Sequence, residues 1–211
     1  MRIFVALDLT PEIRQRLERF VDGAENFAPQ ARWMPPQSLH VTLKFIGEKN
    51  PESIEAIQQV LASIRASPIE LNFRGYGFFP SPKAARVFWA GIEATHGLAA
   101  LAKQIDEATA TVGIAREDHL YMPHLTLARA GSGRTESRKS AKSPAGSGSP
   151  GWEKRDGPNQ RFAKLQEKLG SLPTPEFGTM TAREFFLYQS QLLRGGSRYT
   201  KIGQFALIPQ E

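Results

Sequence analysis

The chain has 211 residues, 40% hydrophobic and 23% charged, with a formal net charge of +6. This composition is typical of one globular domain or two small lobes and argues against a largely disordered chain. The absence of cysteine excludes disulfides and thiolate metal sites, and no stretch approaches the ~20 apolar residues of a membrane span, so we expect a cytoplasmic protein with no membrane segment.

Strand and helix patterns alternate along the chain. Thr10-Pro11 and Asn50-Pro51 each have the form of a helix start, and apolar residues follow each at helical spacing. The predicted elements are, in order, a strand over 2–9, a helix after Thr10, an extended piece over 32–34, a strand over 39–46, a helix after Asn50, strands over 69–79 and 86–92, a helix over 97–112, a strand over 121–129, a helix capped by Asn159, and strands over 182–190 and 198–208 joined through Gly195-Gly196.

The composition changes over residues 131–158, which are rich in Gly, Ser, Pro, Lys and Arg. Such a segment buries too little apolar surface to offset the entropy of ordering it, so we predict a disordered insert in a surface loop. A basic arm that touches RNA is the alternative. Six Lys/Arg against three acids give this segment +3 of the net +6, so the rest of the chain is only mildly basic.

One tetrapeptide pattern occurs twice, as His40-Val41-Thr42-Leu43 and His124-Leu125-Thr126-Leu127. On a strand, residues two apart share a face, so each copy should present one imidazole and one hydroxyl on the side away from the core. A single histidine in a strand is more often structural than catalytic. Two of the chain's four histidines share this pattern, which favours a paired role.

The spacing of the two copies indicates an internal duplication. They lie 84 positions apart, and the same shift places the strand pattern at 2–6 on that at 86–90. We therefore predict an α+β fold with antiparallel sheets, built as two similar lobes.

Two imidazoles facing one site suit acid–base chemistry on a phosphate. An unperturbed imidazole titrates near pH ~6.5, so one ring can act as a base while the other acts as an acid. Hydrolysis of a cyclic phosphodiester needs both roles at once, and a threonine hydroxyl can donate to a non-bridging oxygen. We expect no metal and no cofactor, because neither motif places a second ligand beside its histidine. The sequence also lacks a phosphate-binding Gly-Lys-Ser/Thr loop, a Gly-x-Ser-x-Gly elbow and a His-Glu-x-x-His motif.

The paired His-x-Thr-Leu motifs resemble those of the 2H phosphoesterases, and within them those of the RNA 2′,3′-cyclic phosphodiesterases, historically called 2′-5′ RNA ligases. Further family landmarks are Met1 to Leu7, Arg32-Trp33, His40 to Gly47, Phe79-Pro80, Arg86 to Trp89, Pro123 to Arg129, Leu187 to Ser190, Gly196 and Tyr199.

The resemblance implies one bilobal domain over residues 1–211 with a central cleft between two sheets. It implies opening of the cyclic phosphate at an RNA end to a 2′-phosphate without metal. His40 is then the proton donor, His124 the proton acceptor, and Thr42 and Thr126 hold the phosphate. We expect a monomer.

Relatives often have Arg directly before the Pro-His of the second motif, where this chain has Met122. Lys44, Arg129 and Phe45 are candidates for further substrate contacts. By strict alternation Lys44 shares the face of His40, Phe45 points into the core, and Arg129 lies opposite His124 unless the strand bulges. Two alternative functions are a non-catalytic RNA-end binder and an enzyme that forms or cleaves 2′-5′ linkages.

Overall fold

The computed structural model describes residues 1–94, 96–131, 160–193 and 196–209. The strands are β1 (Arg2–Leu7), β2 (Ala31–Trp33), β3 (Val41–Glu48), β4 (Ile69–Phe79), β5 (Val87–Ala94), β6 (His124–Ala130), β7 (Glu176–Ala182), β8 (Glu184–Leu193) and β9 (Gly196–Ala206). The helices are α1 (Pro11–Ala24), α2 (Pro51–Ala62), α3 (His96–Ala110) and α4 (Ala163–Gly170).

The strands form two antiparallel sheets. The first sheet has the order β3-β1-β8-β9, and the second has the order β2-β6-β5-β4-β7. The first motif strand, β3, pairs with β1, and the second, β6, pairs with β5. A helix separates the two strands of each pair along the chain, α1 in one case and α3 in the other. The prediction of an α+β fold with two similar antiparallel lobes is confirmed.

The first two helices, α1 and α2, begin where the sequence predicts and bury the apolar stripes that it shows. Pro11 is the first residue of α1, and the Asn50 side chain accepts a hydrogen bond from the Ser53 amide at the start of α2. The residues of α1 that lie in the core are Ile13, Leu17, Val21 and Ala24. α1 packs against β7 of the second sheet, and α3 packs against β3 of the first. Most buried apolar residues of both sheets form one continuous cluster, and Phe4, Ala6, Phe186 and Tyr188 of the first sheet form a second, smaller one.

One strand, β7, was not predicted from the sequence. A single strand was predicted over 182–190, whereas the chain forms β7 and then β8. The cause is an irregular register: Phe73 pairs with Gly178 but Arg74 with Glu176, so Phe177 is an extra residue. The next buried residue after Phe177 is Met180, three positions later in the chain. This spacing breaks the alternation of two that would have indicated a strand.

Three predictions fall wholly or mainly on residues outside those that the structure describes. They are the disordered insert at 131–158, of which only Gly131 is described, the cap at Asn159, and the connection through Gly195. Within the described ranges, no helix combines the length and the apolar character that crossing a membrane requires.

Candidate active site

The two His-x-Thr motifs line one cleft of about 450 Å³. The first sheet contributes side chains of β1, β3, β8 and β9, and the second contributes side chains of β2 and β6, so the cleft lies between the sheets. The motif residues at the cleft are His40, Thr42, His124 and Thr126. Alternation therefore places each imidazole and its hydroxyl on the same side, as the sequence analysis expected.

A β-bulge in β3 reverses the faces expected for the next two residues. Val5 and Ala6 are adjacent in β1, but their partners Lys44 and Thr42 are two positions apart, so the residue between them is unpaired. After the bulge, Lys44 is buried and Phe45, 56% exposed, lines the cleft. The expectation that Lys44 shares the face of His40 is wrong, and so is the expectation that Phe45 points into the core.

The second motif strand has the same irregularity. Trp89 pairs with Thr126 and Phe88 with Ala128, which leaves one unpaired residue in β6. Arg129 is thereby turned to the cleft side, the exception that the sequence analysis had allowed for. Phe45 and Arg129 occupy equivalent places, each five positions after the histidine of its motif.

Lys44 is a structural residue in this fold. Its ammonium forms an ion pair with Asp106 of α3 and donates to the carbonyl oxygen of Ala115 at 2.9 Å. Burial alone would raise the pKa of Asp106, but the hydrogen bonds from Lys44 and from the Glu117 amide hold that pKa below its ordinary value. These contacts tie the first motif strand to α3 and to the loop that leads to the second motif.

Each catalytic candidate histidine is held by the carbonyl two residues before it. Nδ1 of His40 lies 2.7 Å from the Ser38 oxygen, and Nδ1 of His124 lies 2.8 Å from the Met122 oxygen. A carbonyl can only accept, so Nδ1 must carry the proton in both rings. Nε2 is then the free nitrogen of each neutral imidazole and can accept a proton at the cleft.

Aromatic rings fix the planes of both imidazoles. The centroid of the His40 ring lies 4.7 Å from that of Phe4 and 5.2 Å from that of Tyr199. The His124 ring lies 4.9 Å from Phe79 and 6.4 Å from Trp89, both in edge-on arrangements. Since each ring has a hydrogen bond on one side and apolar walls around it, little side-chain entropy remains to be lost on binding.

The surroundings lower the pKa of both histidines. Burial lowers the pKa of His40 from 6.5 to about 4, and the nearby Arg129 and Arg14 act in the same direction, partly opposed by the Ser38 carbonyl and by Asp8. Burial also lowers the pKa of His124, again with a contribution from Arg129. An anion placed between the rings would raise both pKa values, because a negative charge stabilises the imidazolium form.

Two arginines face each other across neighbouring strands at the cleft. Arg32 of β2 and Arg129 of β6 are direct partners in the sheet register, and both line the cleft together with Arg2. Like charges directly opposite each other destabilise a sheet unless something neutralises them. No carboxylate belongs to the described residues that line this cleft. The site is therefore suited to an anion.

Arg2, Arg32 and Tyr199 all line the cleft, although the sequence indicated them only as family landmarks and not as site residues. Arg2 and Phe4 lie on the cleft side of β1, while Val5 and Leu7 of the same strand lie in the main core. The alternation of β1 was visible, but nothing in it indicated that its second face would line a site.

A hydrogen bond joins the two halves of the site. The hydroxyl of Tyr121, three residues before His124, donates to the backbone oxygen of Thr42 at 3.0 Å. Burial raises the pKa of Tyr121, which keeps its hydroxyl protonated and able to donate. Among the described residues, no group of three or more His, Cys, Asp or Glu side chains is arranged to hold a metal ion.

Comparisons with known proteins find similar sequences and similar folds. Residues 7–89 match the family model described as LigT-like phosphoesterase. The RNA 2′,3′-cyclic phosphodiesterase of Methanothermobacter thermautotrophicus is 30% identical over 209 residues, which is 98% of this chain and 99% of that protein. The crystal structure of Escherichia coli LigT with 3′-AMP is 26% identical, with a TM-score of 0.71 over 98% of this chain and 97% of that one. The same protein complexed with phosphate is 25% identical, with a TM-score of 0.68 over 98% and 97%.

Proposed function

The chain belongs to the LigT-like phosphoesterase family, and on that premise we propose that it hydrolyses the 2′,3′-cyclic phosphate of an RNA end to a 2′-phosphate by acid–base catalysis with His40 and His124. The observation that carries the proposal is the pairing of two His-x-Thr motifs with two facing arginines in one cleft. The names of its relatives give the bond that is acted on, the 2′,3′-cyclic phosphodiester of RNA, and the cleft of this chain offers groups suited to its hydrolysis.

In the proposed reaction, His124 accepts a proton from a water molecule through Nε2, and the water oxygen attacks phosphorus. The bond from phosphorus to the ribose 3′ oxygen breaks, and protonated His40 donates its Nε2 proton to that oxygen. The two imidazoles act on opposite sides of phosphorus because the attacking and leaving oxygens are in line. The ring roles rest on the family resemblance.

Charge on the non-bridging oxygens is balanced by donors that the cleft already holds. Thr42 and Thr126 can each donate a hydroxyl proton to one of these oxygens. Arg129 faces the same space and is repelled by Arg32, so a bound phosphate relieves that repulsion. Phe45, exposed at the mouth of the cleft, offers an apolar surface to the base.

Because the pKa of His40 is low in the free protein, His40 needs the bound substrate to acquire its proton. At neutral pH the ring is neutral in the cleft, whereas its proposed role needs the imidazolium form. The phosphodiester anion raises the pKa of His40 on binding and so loads the donor with its proton. The profile of kcat against pH should therefore lie at higher pH than that of kcat/KM, which reports the free enzyme.

We also propose a metal-independent reaction carried out by a single bilobal domain acting as a monomer. One chain supplies every side chain assigned a role above, and both lobes contribute to the cleft.

The experiment is a product-resolved assay on an RNA oligonucleotide that ends in a 2′,3′-cyclic phosphate. We expect a 2′-phosphate product, losses of about 10²–10⁴-fold for His40→Ala and His124→Ala, and losses of about 10–10³-fold for Thr42→Ala and Thr126→Ala. An aryl ester with a better leaving group should rescue His40→Ala but not His124→Ala. Binding without turnover, a 3′-phosphate product, or a new 2′-5′ linkage as the main product would overturn the proposal.

A further inference from the structure

A second pocket of about 420 Å³ adjoins the cleft on one side of His40. The cleft and this pocket share Ser38, His40 and Tyr199, but His124 and Arg129 line only the cleft. The His40 ring and the Tyr199 ring, which meet edge to face at 5.2 Å, therefore form the wall between them. We name this cavity, with Arg14, Arg198, Lys201, Asp8 and Tyr188 in its lining, the side pocket.

The side pocket is positively charged. Its lining contains three cations, Arg14, Arg198 and Lys201, and one carboxylate, Asp8. Asp8 is already paired twice, at 2.6 Å with Arg14 and at 2.7 Å with Lys201. Burial alone would raise the pKa of Asp8, but the hydrogen bond from Lys201 and the neighbouring cations hold it below its ordinary value, so its charge stays neutralised by its partners. The third cation, Arg198, lies exposed on β9 and leaves the pocket attractive to an anion.

Two of the cations are held in place by the fold. Arg14 donates to the backbone oxygens of Pro36 and Leu39, at 2.5 and 3.2 Å, in the segment that leads into His40. Lys201 lies 3.8 Å from the centroid of the Phe186 ring. These contacts fix the positions of Arg14 and Lys201, so among the three cations only the exposed Arg198 would have to be ordered when an anion binds.

The proposed chemistry sets the direction in which an RNA leaves the cleft. The oxygen that His40 protonates is the ribose 3′ oxygen, so the ribose lies on the His40 side of phosphorus and the water on the His124 side. The rest of the RNA is attached to that ribose through its 5′ oxygen. The next phosphate therefore lies beyond His40, on the side where the side pocket opens.

We propose that the side pocket binds the 5′-phosphate of the nucleotide that carries the cyclic phosphate, which in an RNA is the phosphodiester to the preceding nucleotide. The inference rests on the proposed function and on His40 as the proton donor. It makes the enzyme selective for oligonucleotide ends over nucleoside 2′,3′-cyclic phosphates.

Three substrates test the inference: adenosine 2′,3′-cyclic phosphate, the same compound with a 5′-phosphate, and the dinucleotide ApA with a terminal cyclic phosphate. We expect kcat/KM about 5–20-fold higher for the second and third than for the first, as for one charge-assisted contact at a partly exposed site. Rising salt should reduce this preference, because the contact is electrostatic. No preference for the 5′-phosphate compound overturns the proposal, and so does a preference confined to the dinucleotide.

Arg198→Gln is the matching variant, because Arg198 lines the side pocket and not the cleft. It should lower the ratio of kcat/KM with and without the 5′-phosphate about 3–10-fold. Lys201→Gln should lower it at least as much, since it also exposes the charge of Asp8. The control is Arg65→Gln at the end of α2, whose guanidinium bonds the backbone oxygens of Ala62 and Ile64 and lines neither cavity. The control should keep the wild-type ratio.

The same assay separates this inference from the proposed function. If the wild-type protein opens none of the three cyclic phosphates, the proposed function fails. If the wild-type protein opens all three substrates with equal kcat/KM, only the proposed role of the side pocket is refuted. The same holds if Arg198→Gln, like the control Arg65→Gln, keeps the wild-type ratio of kcat/KM with and without the 5′-phosphate.

Discussion

The stability of this protein should fall on mild acidification because the folded protein holds His40 as a half-buried, neutral ring. Burial lowers its pKa from 6.5 to about 4, whereas the unfolded chain exposes the ring to water. Between those two values the unfolded chain binds a proton that the folded protein does not. The free energy of unfolding therefore falls as the pH is lowered through this range, and it is independent of His40 above it.

The magnitude follows from the same two values. The difference between 6.5 and about 4, at about 1.4 kcal/mol per pH unit, gives about 3–4 kcal/mol at full extent. At about pH 4.5 the expected loss is about 2–3 kcal/mol, because the window is not fully crossed. Burial lowers the pKa of His124 too, which adds a loss of the same sign. Asp8 and Asp106 have lowered pKa values, so their contributions are lost only at more acidic pH, as the pH falls below their ordinary value of 3.8.

Urea denaturation at about pH 7 and about pH 4.5 measures this loss. The quantity to compare is the change between the two pH values in each variant, since His40→Gln also alters packing at both. His40→Gln should lose about 2–3 kcal/mol less than the wild-type protein on acidification. His119→Gln, at an exposed histidine outside the cleft, is the control and should behave as the wild type. Equal losses in wild type and His40→Gln would refute the depressed pKa of His40.

Three further predictions concern the interior and the cleft. Lys44→Met should lower the free energy of unfolding by about 1–3 kcal/mol in urea denaturation, because Asp106 loses the ammonium that it pairs with. The KM should stay within about twofold of the wild-type value, and a large rise in KM would show that Lys44 contacts the substrate. Gly77→Ala should lower the free energy of unfolding by about 1–3 kcal/mol and lower kcat, because a Cβ there would lie 2.1 Å from the Trp89 ring, which lies beside His124. The control is Gly23→Ala in α1, which should not destabilise the protein because nothing lies within 4 Å of the added Cβ. Equal effects of the two substitutions on the melting temperature would contradict this packing. Turnover should be unchanged in excess EDTA, and loss of activity that a divalent ion restores would overturn the metal-independent scheme.

The elements of this fold were largely visible in the sequence, because helices and strands carry their period in local apolar spacing. The stripe of Ile13, Leu17 and Val21 predicted α1, and the proline and asparagine at helix starts located α1 and α2. The pairing of His40 with Thr42, and of His124 with Thr126, follows from strand alternation over two residues, a distance too short for an irregularity to intervene. The sequence therefore determined the two motifs and the antiparallel lobes that carry them.

The faces beyond each motif were decided by tertiary structure. A bulge depends on how a strand registers with its partner, and β1 and β5, which impose the bulges in β3 and β6, lie far from them in sequence. The buried ammonium of Lys44 is stable only because Asp106, 62 positions away, meets it. Alternation alone assigned Lys44 to the cleft and Phe45 to the core, and long-range pairing reversed both. Arg32 and Arg129 likewise face each other only because β2 pairs with β6. The two strands are about a hundred residues apart, and pairing over such a distance cannot be read from the local sequence.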